Sequence, residues 1–171
     1  MTFFKVKKTL LLIIGFIVTI FIGFIVWKGI GLSYRQKDLP PGGSVYNSVN
    51  IKIAGTEIPV FLALSEEEKR LGLSGRKSLP DNQGMLFVFD TKSYQTFWMK
   101  DMLIPIDIIW ISDDIIVDIS KNVPNPVPGT VQAQLPLYSS SKPANYVLEV
   151  NAGFSDKYSI KIGDKVDLSE I

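Results

Sequence analysis

The stretch IDIIWISDDIIVDI, from Ile106 to Ile119, decides the fold. Two short apolar runs, Ile106 to Ile111 and Ile115 to Ile119, flank the polar Asp113-Asp114 pair. Five- and six-residue runs of Ile, Val and Trp bounded by a turn read as two strands of a β-hairpin, because β-branched and aromatic side chains pack well on a pleated surface. A helix would need a longer segment with apolar positions three and four apart.

The same pattern extends to both sides. Asn50 to Ala54 alternates polar and apolar, Gly55 makes a turn, and Glu57 to Ala63 returns, which predicts another hairpin. Ser65-Glu66-Glu67-Glu68 has the spacing of a capping box, so a short helix is expected to start there and to end at about residue 71, before Gly72. Gly72 to Gly84 reads as a structured loop, and Met85 to Phe89 as a buried strand. Thr96 to Lys100 and Tyr146 to Val150 predict further strands. Asn151-Ala152-Gly153 leads into one helical turn, and Lys165 to Leu168 predicts a last strand. Between them lies a long Pro-rich loop, 122–143, with one short strand expected near Leu135. The sum is a mostly β domain: a small closed barrel or sandwich of about seven or eight short strands with one or two short helices, and not a βαβ fold, which would need helices between strands.

Upstream, Leu10 to Trp27 (LLLIIGFIVTIFIGFIVW) is uncharged over 18 residues. At about 1.5 Å per residue it reaches roughly 27 Å, close to the hydrocarbon thickness of a bilayer. The competing reading is a removed signal peptide, whose apolar core would run to about 7–15 residues and for which only the weak Gly29-Ile-Gly31 could serve as a cleavage site; the greater length favours a retained anchor. Lys5, Lys7 and Lys8 precede it closely, which favours a cytoplasmic N-terminus. The expected organisation is therefore a cytoplasmic segment 1–9, a transmembrane anchor 10–27, a linker 28–48 and an extracytoplasmic β domain 49–171. This makes a single-pass protein of the cell membrane whose first partner is the membrane itself.

Composition narrows the chemistry. Among 171 residues there is no cysteine and no histidine. Disulfides, thiolate nucleophiles, Ser–His and Cys–His pairs and the common zinc sites are excluded, and neither cofactor nor metal is expected. Six of the 18 basic residues lie within residues 1–37, which carry no acid; the other twelve face all 17 acids, a net of −5. Nucleic acid is not an expected partner of so acidic a domain, since phosphate contacts need clustered Lys and Arg.

Polar residues embedded in apolar sequence are the candidates for a site. Asp107 interrupts Ile106 and Ile108-Ile109, where a buried carboxylate would need a partner, with Arg76 and Lys100 the candidates. Arg76, in the turn Gly72-Leu73-Ser74-Gly75-Arg76, could grip a carboxylate or phosphate, or tie its loop to Asp101, Asp107 or Glu149. Trp98 stands beside Lys100 and Asp101. A pocket shared by Asp101 and Asp107 would split their pKa values and open a route to acid–base chemistry.

The motifs Gly72-Leu73-x-x-Arg76, Gly84-Met85-Leu86-Phe87-x-Phe89, Phe97-Trp98-Met99-Lys100, Ile104-Pro105-Ile106-Asp107-Ile108-Ile109, Tyr146-Val147-Leu148-Glu149-Val150 with Gly153, and Gly163-Asp164-Lys165-Val166 occur in an order that resembles the prokaryotic domain-of-unknown-function family 192. The resemblance spans about residues 49–168 and implies one mostly β domain behind a secretion signal or anchor. It implies no reaction. Asp101-Met102 stands where relatives usually carry Asn-Thr, so no role needing an amide at position 101 is implied, and the Pro-rich loop lacks the cysteines of some relatives.

The expected function is a membrane-anchored binding or interaction module whose site draws on Arg76, Trp98, Lys100, Asp101, Asp107 and Glu149. Its ligand would be a small molecule or a component of the cell envelope. The alternative is a hydrolase at the cell envelope that uses Ser–Lys or paired-carboxylate chemistry, the machinery open to a chain without His or Cys. A scaffold role through the Pro-rich loop is a third possibility.

Overall fold

The computed structural model describes residues 46–171; the expected anchor 10–27 and most of the linker lie outside the described residues. Among the described residues no helix is long and apolar enough to cross a membrane. Tyr46 is already buried in the body, and the Asn47 carbonyl accepts from the Leu62 N–H at 2.8 Å.

β1 (Ser48–Ile53) and β2 (Thr56–Ala63) form an antiparallel hairpin. Its two-residue turn, Ala54 and Gly55, has positive φ at both positions, which matches the twist of the strands it joins. α1 (Glu66–Leu71) starts with the full capping box: Ser65 accepts from the Glu68 N–H, and Glu68 accepts from the Ser65 N–H. Those backbone donors hold the Glu68 carboxyl below its usual range, the Ser65 amide foremost. The chain then crosses to β3 (Gly84–Ser93), which pairs with β2 in parallel. This β2–α1–β3 unit is a βαβ crossover, contrary to the expectation of a sheet built without one. A six-residue helix plus the loop behind it is long enough to return the chain in the same direction.

β8 (Ala144–Asn151) lies beside β3, then β5 (Ile106–Ser112), then β6 (Ile115–Val123), all antiparallel, while β9 (Val166–Asp167) flanks β1. The seven-stranded order is β6-β5-β8-β3-β2-β1-β9. The sheet curls into a half-barrel. Its edges touch at one end only, through the Ile115–Lys165 bridge and the Val166 N–H donating to the Asp114 carbonyl at 2.8 Å. The expected full closure is not reached, because β9 is two residues long and offers β6 no ladder to follow. A separate ribbon pairs β4 (Thr96–Trp98) with β7 (Leu137–Ser139), the short strand expected in the Pro-rich loop. α2 (Phe154–Lys157) is the single helical turn after Gly153.

Alternation divides the core into two clusters. Ile106, Ile108 and Trp110 join Met85, Phe87, Met99 and Val147 on one face of the central strands. Ile109 and Ile111 join Leu86, Leu148, Val150 and Phe154 on the other. Both faces are covered, so β5 reads as a continuous apolar run.

Candidate functional site

Glu149 is the buried charge-bearing group that opens onto a cleft. It sits on β8, register-paired with Met85 of β3 and Ile108 of β5, so its side chain emerges among the cluster that holds Phe87, Met99 and Val147. It is 5% exposed, and its Oε2 has no hydrogen-bond partner among the described residues. Burial pushes its carboxyl up to about 8, so the acid is mostly protonated at neutral pH.

The cleft above it has a volume of about 400 Å³, within the range of pockets that enclose a small ligand. One wall is α1 and the turn behind it, with Lys69, Arg70 and Gly72 among its residues; the other is Gln95 to Trp98. Phe87, Phe89 and Met102 complete the apolar lining. Phe97 meets Phe87 edge-on at 4.9 Å between centroids and Trp110 at 5.4 Å, which fixes the aromatic wall from behind. Lys69 Nζ lies 4.8 Å from the centre of the Phe89 ring and 3.1 Å from the exposed Glu66 carboxylate, while Arg70 is exposed at the rim.

Gly84 allows β8 to come this close. A Cβ there would lie 2.9 Å from the Glu149 carbonyl oxygen, and also 2.9 Å from a Leu148 methyl. Real contacts are not that short, so position 84 admits no side chain while the strand stays in place.

Trp98, 37% exposed, and Glu149 both line this cleft. Lys100 lies 5.8 Å from the centre of the Trp98 ring but, with the exposed Asp101, lines a separate hollow of about 310 Å³ beside Leu103 and 125–130. Asp101, with φ +56°, contributes its carbonyl, which accepts from Gly75 N–H at 2.8 Å and so braces the Arg76 turn. Arg76 is buried, with its guanidinium carbon 4.7 Å from the centre of the Phe61 ring and its charge felt by Tyr46, whose phenol burial nonetheless pushes up.

Asp107 is fully buried, but it neither reaches the cleft nor meets the expected Arg76 or Lys100. Its carboxylate accepts from three backbone amides, those of Asn122 (2.8 Å), Gly153 (3.2 Å) and Ser155 (2.8 Å). Those amides gather there because the Gly153 turn delivers the start of α2 onto that face. A carboxylate with three such donors is satisfied without a cation.

Neither arrangement expected for a hydrolase assembles at these residues. Ser74 Oγ donates to the Lys100 main-chain carbonyl at 2.8 Å, not to its amine. Asp101 is exposed, and Asp107 and Glu149 leave opposite faces of the sheet. Among the described residues no group of three or more acids is placed to hold a metal ion.

Sequence reasoning did not assign Lys69 or Arg70 to a site, and it met Gly84, Phe87, Phe89 and Phe97 only as motif residues, without a place in the cleft. The signal for Gly84 was present: a glycine opening an apolar strand marks a close backbone approach.

A family model described as Uncharacterized ACR, COG1430 matches residues 49–168. Among solved structures, a putative transcription regulator from Sinorhizobium meliloti 1021 is 26% identical, with a TM-score of 0.68 over 76% of this chain and 100% of that one. A protein of unknown function from Novosphingobium aromaticivorans DSM 12444 is 32% identical, with a TM-score of 0.63 over 75% and 89%. No curated protein matches.

Proposed function

The chain belongs to this uncharacterised family, DUF192, and from that premise we propose that it is a binding module held at the outer face of the membrane through residues 10–27, with the Glu149 cleft as its ligand site. The single observation that carries this reading is the Glu149 carboxyl: buried, without a partner at Oε2 among the described residues, and placed at an open cleft with aromatic walls. Burying a polar atom without a partner is costly unless the atom is met by something that the protein alone does not supply. A protonated acid there donates a hydrogen bond to an acceptor on the ligand, the walls take its apolar body, and Arg70 faces any anionic group at the mouth. The regulatory role named for the Sinorhizobium protein is not carried over, because residues 38–171 are net acidic and offer no basic footprint for a phosphate backbone.

The test is a screen of small polar aromatics and envelope-derived fragments by ligand-observed NMR, on the full-length chain and on Glu149→Gln and Trp98→Ala. Ligands of the cleft bind wild type and lose affinity in both variants, while neither variant melts far below wild type. Hits that ignore both substitutions refute the reading.

A further inference from the structure

We propose that the cleft takes an extended, acidic peptide that adds as a third strand to the free edge of β4, a proposal that rests on the binding reading above and names its ligand.

Four consecutive residues, Gln95, Thr96, Phe97 and Trp98, all line the cleft, and no residue of β7 does. Successive side chains of a strand point to opposite faces, so a strand that lines a groove with every residue presents its edge to it. The register says which backbone groups that edge carries. The Ser140 N–H donates to the Gln95 carbonyl at 3.2 Å, so those two residues form a hydrogen-bonded pair. Antiparallel pairs alternate, which makes Thr96–Ser139 a non-hydrogen-bonded pair, Phe97–Tyr138 a bonded one and Trp98–Leu137 again non-bonded. The 2.9 Å approach of Thr96 Oγ1 to Ser139 Oγ fits the close side chains of a non-bonded pair. The N–H and C=O of Thr96 and Trp98 therefore point away from β7, into the cleft. Among the described residues β4 pairs only with β7, and no other backbone group meets these four.

An open edge is a template for another strand, and native folds usually blunt it. Here it lies instead inside a groove about the size of a few residues, with a buried polar atom at its base. In strand addition, main-chain hydrogen bonds supply affinity and pockets for alternate side chains supply selectivity. The backbone of the peptide would bond Thr96 and Trp98, with one polar-tipped side chain directed at Glu149. The acidic character follows from the mouth: Lys69 is engaged by Glu66, whereas Arg70 is exposed there.

The probe is a displayed library of random octapeptides, selected on the full-length chain in detergent micelles, with the winner resynthesised and N-methylated at one position at a time. The expected winners carry Asp or Glu. Methylation weakens binding at every second position only, because alternate amides face β4. Thr96→Pro removes an outward donor that β7 does not use and lowers affinity about tenfold, while the loss of the Thr96–Ser139 hydroxyl contact lowers the melting temperature only slightly. Peptides whose binding ignores Thr96→Pro, or follows no two-residue period, overturn the proposal. If no peptide is selected while small molecules bind in a Glu149-dependent way, strand addition is refuted and the binding reading stands. If neither class binds, both fall.

Discussion

Asp107 and Glu149 stand on neighbouring strands one register step apart, Asp107 opposite Val150 and Glu149 opposite Ile108, and their carboxyl groups leave opposite faces of the same sheet. One accepts from three backbone amides and the other has an oxygen with no partner among the described residues. Identical chemistry in adjacent strands thus has two different roles: Asp107 ties β5, β6 and the start of α2 together, and Glu149 waits beneath an opening.

The Asp107 arrangement predicts a stability defect without a binding defect. Replacing Asp107 by Ala strands three amide donors in the interior, a loss of about 3 kcal/mol or more, since hydrogen bonds to charged groups are the stronger kind. Urea denaturation at neutral pH measures it. Ligand affinity of the folded fraction stays at the wild-type value, and Asp107→Asn falls between the two because it keeps the shape and one acceptor.

Glu149 predicts a slope in stability against pH. Its carboxyl titrates near 8 in the folded chain and near its ordinary 4.5 when unfolded. Between those values the folded state holds a proton that the unfolded state has released. Stability from this group is therefore fully present below pH 4.5 and declines as the pH rises to about 8, by about 5 kcal/mol in all. Glu149→Gln has no proton to lose, so its chemical-denaturation profile lacks that decline and it is the more stable protein at pH 8.5. Parallel profiles for the two proteins between pH 5 and 8 would contradict the assignment.

Gly84 predicts a local effect on the same residue. Ala at this position places a methyl 2.9 Å from the Glu149 carbonyl, so β3 and β8 must separate. Overpacking of this kind costs about 2 kcal/mol. Amide exchange accelerates in Leu148 to Val150 before it does in the β1–β2 hairpin, which hydrogen-exchange mass spectrometry resolves.

Much of this was legible beforehand. The β1–β2 and β5–β6 hairpins, the capping box at Ser65, the turn at Gly153 and the strand inside the Pro-rich loop all carry local signals, in strand period, turn residues or cap spacing. What escaped depends on contacts between segments far apart in sequence. No pattern in β2 or β3 tells that they run parallel. The partners of Asp107 are amides 15, 46 and 48 residues away, and a backbone donor looks the same in every sequence. Glu149 reads as one acid in a strand, and only the packing of Phe87, Phe97 and Met102 around it turns it into the floor of a cleft. Lys100 and Trp98 are two residues apart in sequence and still serve different hollows, because β4 ends at Trp98 and Lys100 already lies in the turn closed by the Met102 N–H donating to the Met99 carbonyl at 3.2 Å.

The membrane reading makes the last prediction. Three lysines crowd the N-terminal flank of the apolar segment, whereas Lys28, Arg35 and Lys37 are dispersed beyond it. The prediction from that bias is insertion with the N-terminus inside, since basic flanks resist translocation. Protease added to spheroplasts expressing the chain should then remove the domain, and carbonate washing should leave the untreated protein in the membrane pellet. A chain lacking residues 1–31 should appear in the soluble fraction. Full protection from protease would invert the topology, and a mature protein that starts after Gly31 and washes free would mean that the segment is a leader. An 18-residue uncharged stretch has the length to remain in the bilayer, whereas leader cores run to about 7–15 residues. Retention of the anchor is therefore the expected outcome.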